Sequence, residues 1–462
     1  MNKYDAIIIG SGQAGTPLAK KLAQAGYRTA LIEKQHIGGT CINTGCTPTK
    51  TMIASARSAW LAKQSPSLGI KTGTVTIDFK KIISRKDRVV ESFREGAETN
   101  LGKTEGLDVF YGDASFTADR TIRVHVHGKR DIFLQSGKIF INAGAKPTIP
   151  GIKGIDQVNY LTSETILDLK EIPKHLLIIG GSYIALEYGQ MFLRFGSKVT
   201  IVEQSPGFLL REDEDVSAEL KQILEEEGMN ILTGTEALSI KKNAGGTLSA
   251  ILNDNGKRRT VSCSHVLLAV GRTPDTKTLG LHLAGVETDD KGYIKVNSKL
   301  QTNVKGIFAL GDIKGGPAFT HTSYNDHLVI VGNLLEKKAR TIKNRMVPYC
   351  MFTDPQLGRI GMTEREAKEK GLNYRVALLP MEKVARAIET GDTRGLMKAI
   401  VDKKTKLILG AAIIGTEGGE IMAVLQMAMM GGITYPQIRN GIFAHPTYAE
   451  SLNNLFMTLD SQ

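Results

Sequence analysis

The 462-residue chain is 41% hydrophobic and 23% charged and has four cysteines, a composition typical of a multidomain globular protein and not of a disulfide-stapled secreted one. Its net charge of +12 is scattered, without the Lys/Arg runs, aromatic-basic stripes or zinc-finger spacing of nucleic-acid binders, so we predict no nucleic-acid partner. No apolar stretch is long enough for a membrane span or a signal peptide, and we expect a cytoplasmic protein without membrane attachment.

The chain begins with a predicted strand, a glycine turn and a helix. The apolar run YDAIIIG leads into Gly10, Gly12 and Gly15 at GxGxxG spacing, and the next predicted strand ends near Glu33. Gly10 permits a tight turn, Gly12 lets the backbone approach a pyrophosphate, and Gly15 lets the helix pack on the strand. The helix N-terminus favours the anion, and Glu33 can accept hydrogen bonds from a ribose. These features predict a dinucleotide site.

The stretch GGTCINTGCTPTK, residues 38–50, contains Cys41 and Cys46. The pair could be a structural disulfide, half of a metal site, or a redox pair. A disulfide across so short a loop would add little stability, and no second cysteine or histidine pair completes a zinc site. We therefore favour the redox pair and predict no metal site. A helix predicted from Pro48 would place the pair at a helix N-terminus, which lowers the pKa of a thiolate.

A helical stretch (roughly 50–100) and a β-rich part (roughly 107–142) lead to a second strand–turn–helix–strand unit. Its fingerprint is Gly180-x-Ser182-x-x-Ala185, and Glu203 follows the next strand. Ser182 stands where the fingerprint usually has glycine; either the hydroxyl fits and bonds the phosphate, which we favour, or it weakens nicotinamide binding. Glu203 suits a free ribose 2′-hydroxyl and repels a 2′-phosphate, which predicts NADH over NADPH.

From about Val347 a mixed α/β tail is predicted. RGLMKAIVDKKTKLILGAAIIG has the pattern of a strand hairpin, and GGEIMAVLQMAMMGG that of an apolar helix in the core or at a subunit interface. FAHPTYAESLNNLF then contains His445 and, five residues later, Glu450.

Two dinucleotide fingerprints, a CxxxxC pair and the His-Pro-Thr motif together resemble the class I pyridine nucleotide-disulfide oxidoreductases over essentially the whole chain. This family includes lipoamide dehydrogenase, glutathione reductase and mercuric reductase, and the cysteine stretch is most similar to the mercuric-reductase-like and reactive-chlorine-resistance branches. The resemblance implies an α/β fold with two Rossmann-like dinucleotide-binding domains, for FAD and NAD(P), and a C-terminal α+β dimerisation domain. The implied segments are 1–150 (FAD, first part), 151–272 (NAD(P)), 273–345 (FAD, second part) and 346–462 (dimerisation).

The resemblance also implies roles for single residues. Cys46 would be the flavin-proximal, charge-transfer thiol, and Cys41 the interchange thiol that meets the substrate. Lys50 and Glu187 would form an ion pair beside the flavin. His445, oriented by Glu450, would be the base that serves the partner subunit of a homodimer, with active sites at the interface. Further positions implied to bind the cofactors are Gly39, Thr40, Lys50, Gly144, Gly271 and Asp312.

The implied activity is an FAD-dependent transfer of electrons from NAD(P)H through the Cys41–Cys46 disulfide to a thiol or disulfide, a soft metal ion or a related acceptor. Dedicated mercuric reduction is disfavoured, because the tail FMTLDSQ has no cysteine pair and the His-Pro motif is present. Dihydrolipoamide dehydrogenase remains an alternative, although FTHTSYNDHLVIVGNLL does not look like that enzyme's sequence. An alternative of another class is a redox-sensing flavoprotein with little turnover.

Overall fold

The computed structural model describes residues 2–460, whose contacts divide into two compact units. The first unit contains the residues up to Thr51, Lys81–Thr148 and Gly271–Arg345; the second contains Met52–Lys80, Ile149–Val270 and the residues from Met346 onward. The four-segment division of the chain stays a prediction.

A five-stranded parallel sheet forms the centre of the first unit. Its strands, in spatial order, are Ile307–Ala309, Ile139–Ile141, Ala6–Ile9, Thr29–Glu33 and Leu107–Tyr111. The three middle strands are buried along their whole length, which is why their sequences are continuous apolar runs and not alternating ones. Helices Gly15–Gln24 and Thr320–Leu334 pack against each other in this unit.

A second sheet of this unit contains Asn2–Tyr4, Ile132–Ser136, Thr121–His125 and Asp113–Ala118, and a two-stranded ladder pairs Ala145–Pro147 with Arg272–Pro274.

The helical stretch predicted around residues 50–100 consists of Cys46–Gln64 and Phe79–Gly102. The first of these helices begins at Cys46, not at Pro48 as the sequence suggested. Pro48 is therefore a first-turn residue, a position where the missing N–H costs no helical hydrogen bond.

The second unit contains another five-stranded parallel sheet, of strands Leu161–Thr162, His265–Leu268, His175–Ile179, Lys198–Val202 and Asn230–Leu232. Helix Tyr183–Phe195 follows its central strand, and helix Glu214–Glu226 precedes its last one. A three-stranded antiparallel sheet, Thr235–Lys242, Leu248–Asp254 and Lys257–Cys263, continues the chain. The strand–turn–helix–strand unit that the sequence predicts here is confirmed.

The C-terminal part of the second unit has a five-stranded antiparallel sheet, of strands Tyr349–Met351, Gln356–Gly361, Ile408–Gly415, Leu396–Asp402 and Tyr374–Pro380. The predicted hairpin is present, because Leu396–Asp402 pairs antiparallel with Ile408–Gly415. The accompanying helices are Glu364–Glu369, Ala385–Thr390, Gly418–Met430, Tyr435–Arg439 and Ser451–Met457. Within residues 2–460, no helix combines the length and the apolar character needed to cross a bilayer.

Candidate active site

The first nucleotide-binding turn is held from both neighbouring strands. Gly10 has a φ of 97°, and a Cβ at this position would collide with the carbonyl oxygen of Asn142. Glu33 Oε2 accepts hydrogen bonds from the Ser11 N–H at 2.9 Å and the Ser11 hydroxyl at 2.6 Å. Gly15 is the first residue of the following helix, so free N–H groups lie at the turn. This cradle fits the pyrophosphate and ribose of a dinucleotide.

The cysteine stretch packs directly against this turn. Gly39 has a φ of 60°, and a Cβ there would lie 2.8 Å from Gly12 Cα. Gly39 opens a short helix that carries Cys41. Gly45 follows, and a Cβ on it would lie 2.8 Å from the carbonyl oxygen of Thr40. The glycines therefore allow two close backbone approaches, which place the cysteine pair beside the phosphate-binding turn.

The two cysteines are present as thiols, Cys41 half-buried and Cys46 exposed. The pKa of Cys41 is raised, first by its hydrogen bond with Cys46, then by burial and by the charge of Cys46. A hydrogen bond to Thr320 and the charge of Lys50 act in the opposite direction. The neighbouring sulfur of Cys46 and burial thus favour the protonated form of Cys41. Cys46 is also the first residue of its helix, where free N–H groups favour an anion.

Two loops that resemble each other in sequence form one ladder in the first unit. Ala145–Pro147 pairs antiparallel with Arg272–Pro274. Beyond the paired residues, the Thr148 N–H donates to the Gly271 carbonyl at 3.0 Å, and the Asp275 N–H donates to the Gly144 carbonyl at 3.1 Å. The predicted cofactor positions Gly144 and Gly271 therefore lie at opposite ends of this ladder.

Asp312 follows the strand Ile307–Ala309 in a short 3-10 turn. Burial raises the pKa of its carboxyl, and the positive charges of Arg272 and Lys314 oppose this shift. The fully buried Asp326 accepts a hydrogen bond from the Gly311 N–H at 2.9 Å and so fixes the turn. A half-buried carboxylate held at a strand end is suited to accept hydrogen bonds from the hydroxyl groups of a ribityl chain.

The second nucleotide-binding turn repeats the arrangement of the first. Glu203 Oε2 accepts from the Gly181 N–H at 2.7 Å, and Oε1 accepts from the Ser205 N–H at 2.8 Å. Glu33 makes the corresponding bonds in the first turn. Gly180 has a φ of 104° and approaches the Ala269 carbonyl as Gly10 approaches that of Asn142.

The helix that follows carries the remaining predicted positions. Ser182 is its N-cap residue, in an extended conformation and without a capping hydrogen bond from its side chain. Ala185 is fully buried, which allows close packing of helix and strand. Glu187 is 3% exposed and accepts a hydrogen bond from the Phe352 N–H at 2.8 Å. The ion pair of Glu187 with Lys50 stays a prediction.

His445 and Glu450 form a hydrogen-bonded pair in the second unit. Nδ1 of His445 lies 3.0 Å from Oε1 and 2.9 Å from Oε2 of Glu450. His445 is exposed, so its other ring nitrogen, Nε2, is available to a proton donor from solvent or substrate. Within residues 2–460, no cluster of three or more His, Cys, Asp and Glu side chains is arranged to hold a metal ion.

Sequence reasoning missed three side chains of the site. With its amide oxygen facing the first turn, Asn142 accepts from the Gly12 N–H at 3.2 Å. Thr320 Oγ1 lies 3.5 Å from Cys46 Sγ, and Asp326 fixes the Asp312 turn. The position of Asn142 directly after a buried strand was a usable signal. The other two lie on a helix far along the chain, and no local pattern marks them.

Family models match most of the chain. The model described as pyridine nucleotide-disulphide oxidoreductase matches residues 4–326, and that of the dimerisation domain of the same family matches residues 347–456.

Curated relatives are similar over almost the whole chain. The probable pyridine nucleotide-disulfide oxidoreductase RclA of Escherichia coli (strain K12) is 38% identical over 460 residues, 99% of each chain. A mercuric reductase of Staphylococcus aureus is 35% identical over 99% of this chain and 82% of its own. A dihydrolipoyl dehydrogenase of Thermus scotoductus is 34% identical over 100% of this chain and 98% of its own. The solved Cu(II) complex of the HOCl-induced flavoprotein disulfide reductase RclA from Escherichia coli has a TM-score of 0.91, with 99% of both chains covered.

Proposed function

Since the chain belongs to the pyridine nucleotide-disulphide oxidoreductase family, we propose that it passes electrons from NADH through FAD and the Cys41–Cys46 pair to an external acceptor. The observation that carries this proposal is the placement of two cysteine thiols beside the first nucleotide-binding turn, with Cys46 at the start of a helix. Such a pair can open and close a disulfide, because the helix N-terminus favours a thiolate at Cys46.

Bound FAD supplies the two-electron step, since it takes a hydride from the nicotinamide and delivers both electrons to a disulfide. To its binding we assign Gly10, Gly12, Gly15, Glu33, Gly39, Thr40, Lys50, Gly144 and Asp312. To the nicotinamide nucleotide we assign Gly180, Ser182, Ala185, Glu203 and Gly271. Lys50, paired with Glu187, would stabilise negative charge that develops on the reduced ring. The Ser182 hydroxyl, which caps no N–H of its helix, is available to a phosphate oxygen.

With a disulfide as acceptor, the reduced pair would act in two exchanges. Cys41, as a thiolate, attacks one substrate sulfur, forms a mixed disulfide and releases the first thiolate. Cys46 then attacks the sulfur of Cys41, releases the second thiolate and restores the Cys41–Cys46 disulfide. Two electrons leave the pair, and two protons convert the released thiolates to thiols.

We assign the proton transfers to His445, oriented by Glu450. With Nδ1 turned to the carboxylate, Nε2 can take the proton of Cys41 and return it to the leaving thiolate.

In line with the dimerisation domain, we propose a homodimer in which this base serves the partner's cysteine pair. Open thiol chemistry suits a reducing compartment, and we propose the cytoplasm.

We propose NADH as the preferred reductant. Both oxygens of Glu203 accept backbone N–H groups, so the carboxylate is held where a dinucleotide ribose would lie. A 2′-phosphate would meet this negative charge, whereas a 2′-hydroxyl could donate to it.

We propose a soft metal ion or a thiol/disulfide as the acceptor class. The relatives include mercuric reductases, and one solved relative is a Cu(II) complex. Exposed Cys46 and half-buried Cys41 offer the thiolate ligands that soft metals prefer. The second candidate is dihydrolipoamide dehydrogenase, which the His445–Glu450 pair and the relative from Thermus scotoductus favour.

Rapid-mixing reduction of the holoenzyme tests the proposed electron path. We expect NADH to produce a long-wavelength charge-transfer band, Cys41→Ser to retain it, and Cys46→Ser to lose it. NADPH should reduce the flavin at least about tenfold less efficiently, since about 1.4 kcal/mol of repulsion is enough for that ratio. A band that survives in Cys46→Ser, or tenfold better reduction by NADPH, would contradict these assignments.

Steady-state turnover then separates the candidate activities. NADH oxidation would be measured with Hg(II), Cu(II), quinones and glutathione disulfide, and NAD reduction with dihydrolipoamide. Fast turnover with a soft metal supports our proposal, whereas fast dihydrolipoamide oxidation favours the second candidate. Slow turnover with every acceptor would identify a redox sensor. Rapid reduction of glutathione disulfide would contradict the preferred acceptor class.

A further inference from the structure

One irregular loop of the second unit, residues 440–450, carries both members of the proposed acid–base pair. It joins helix Tyr435–Arg439 to helix Ser451–Met457 and contains His445 and Glu450. The two oxygens of the Glu450 carboxylate lie 3.0 Å and 2.9 Å from Nδ1 of His445. A loop without helix or strand keeps backbone freedom of its own, so contacts outside the pair are needed to hold the two side chains in one geometry.

Asn453 joins the two ends of this loop. Its side-chain Nδ2 donates to the carbonyl oxygens of Ile438 at 2.7 Å, Arg439 at 3.1 Å and Gly441 at 3.2 Å, where the chain leaves the first helix. Its backbone N–H donates to the Glu450 carbonyl at 2.9 Å, where the chain enters the second helix. The same residue therefore binds the chain on both sides of the loop.

The chemistry of these carbonyls explains why an asparagine suits this position. A helix leaves its last carbonyl groups without intrahelical partners, and Ile438 and Arg439 are the last two residues of the first helix. Asparagine has the shortest side chain that carries two N–H donors, so it can bond two carbonyls and share a hydrogen with the third. Asn453 is half-buried, and water competes only in part for the same carbonyls.

A second contact fixes the interior of the loop. Thr447 Oγ1 donates to the Ala444 carbonyl at 2.9 Å and accepts from the Glu450 N–H at 3.2 Å. The backbone on both sides of His445 is thereby held at a set distance from Glu450. Thr447 fixes the turn around the histidine, and Asn453 fixes that turn relative to the preceding helix.

We propose that Asn453 is a positioning residue for proton transfer: its amide closes the base of the loop, keeps Nδ1 of His445 on Glu450 and leaves Nε2 turned outward. A neutral imidazole with its proton on Nδ1 has its lone pair on Nε2, the nitrogen that accepts the thiol proton in the proposed exchange. The effect on turnover rests on the proposed function, whereas the orientation of the imidazole is a property of this chain alone.

Nitrogen NMR of the histidines in the holoenzyme tests the orientation. At about pH 8.5, well above the ordinary pKa of histidine, proton–nitrogen correlation spectra show which ring nitrogen holds the proton. The signal that disappears in His445→Gln identifies His445. We expect the wild type to hold the proton on Nδ1. In Asn453→Ala the ratio of the Nε2–H form to the Nδ1–H form should rise about fivefold or more, the equivalent of one lost hydrogen bond.

Asn454→Ala is the matched control, because it makes the same change at the exposed neighbouring asparagine of the same helix. It should give the wild-type spectrum. A wild type with its proton on Nε2, a wild-type spectrum in Asn453→Ala, or an equal change in Asn454→Ala overturns the role of Asn453.

Kinetics with lipoamide as the disulfide acceptor test the consequence for turnover. The kcat of Asn453→Ala should fall about tenfold with little change in KM, since part of the roughly 100-fold benefit of general acid–base catalysis is lost. NADH should still produce the charge-transfer band at the wild-type rate, which shows that the variant is folded and holds FAD. Asn453→Asp has the same shape without a side-chain N–H, so it should behave in the same way and repeats the test if the alanine variant does not fold.

The two measurements separate the failure of Asn453 from that of the proposed function. A changed tautomer with wild-type kcat overturns the role of Asn453 in proton transfer. A wild type that reduces no lipoamide overturns the proposed exchange with a disulfide instead, and the spectra still decide whether Asn453 orients the imidazole.

Discussion

At the scale of single residues, Glu212 is the clearest acid outside the candidate site whose ionisation the fold opposes. Its side chain is 4% exposed, and burial raises its pKa to about 7. Arg359, with its Nε 3.9 Å from Glu212 Oε2, opposes this shift, and the charge of Asp213 adds to it. The Tyr349 hydroxyl donates to Glu212 Oε1. The carboxylate is therefore costly to ionise in spite of a nearby guanidinium.

This burial predicts a pH-dependent stability that Glu212→Gln should remove. The folded-state pKa lies above the ordinary value of 4.5, so between about pH 4.5 and 7 the folded chain holds the extra proton and loses stability as the pH rises. The full loss is roughly 3 kcal/mol. Urea unfolding from pH 5 to 8 should show Glu212→Gln gaining about that much relative to wild type, whereas the exposed Glu236→Gln should show no such trend. A constant difference for Glu212→Gln across this range would refute the prediction.

Local sequence spacing could predict the residues that bind the cofactors and exchange electrons. It could not predict the side chains that contact those residues and influence their charge and position. The two fingerprints and the Cys41–Cys46 pair each lie in one short segment, and within the first unit the cysteine stretch packs against the first fingerprint. Thr320 reaches Cys46 across 274 positions of sequence. Such a contact is decided by how helices pack, and a single sequence without a local pattern contains no sign of it.

Among the elements, helix Tyr183–Phe195 is bonded to the segment before Pro355 by two polar side chains one turn apart, Gln190 and Arg194, which we call the polar stripe. Gln190 exchanges two hydrogen bonds with the backbone of Asp354, both of 2.8 Å. Arg194, one turn further on, bonds the Asp354 carboxylate at 2.6 Å and Glu227 at 2.7 Å. This buried stripe joins the second nucleotide-binding helix to the start of the C-terminal sheet.

Trp60, the chain's only tryptophan, lies against the same stripe. The guanidinium carbons of Arg194 and Arg394 lie 4.8 Å and 4.3 Å from the centre of its ring. Both arginines also bond Glu227, and a cleft of about 510 Å³ borders the cluster. Cation–π contacts of this kind add to the ion pairs and hold the indole against the two guanidinium groups.

Removing Arg194 should destabilise the second unit. Arg194→Met would leave Asp354 and Glu227 with fewer positive partners in a buried place, at a cost of about 2–4 kcal/mol. Urea unfolding followed by Trp60 fluorescence would measure this cost, and the native-state emission should also change because one cation leaves the indole. The exposed Arg211→Met should alter neither quantity. Wild-type stability in Arg194→Met would show that the stripe is dispensable.

The element-scale predictions succeeded where a residue pattern repeats locally. Continuous apolar runs marked the parallel strands, and the hairpin between Leu396 and Gly415 followed from two apolar runs on either side of the polar DKKT turn. Its strands were expected to be half-buried, but both are buried over almost their whole length. The start of the helix at Cys46 was misjudged, because Pro48 looked like a first helical residue. Proline is compatible with any position of the first turn, so its presence fixes the start of a helix only to within a few residues.

At the scale of the whole molecule, the C-terminal domain exposes a row of large apolar side chains. Helix Gly418–Met430 buries Ile421, Met422 and Leu425 in the core of its own unit. Met427 and Met430, one turn apart on the same face, remain 65% and 64% exposed. We predict that these two side chains contact another chain, in accord with the match to the dimerisation domain.

Charging this face should separate the subunits and uncouple the two half-reactions. In Met427→Glu/Met430→Glu, light scattering should give the mass of one chain, because two buried carboxylates would face their symmetry mates. NADH should still produce the charge-transfer band, which needs only one subunit. Acceptor turnover should fall about 100-fold or more, since general acid–base help from the partner's base is worth roughly that much. Leu283→Glu, at an exposed apolar residue of the first unit, should change neither mass nor turnover. A monomer with full turnover would show that His445 serves its own subunit's cysteines, whereas a variant that stays dimeric would place the interface elsewhere.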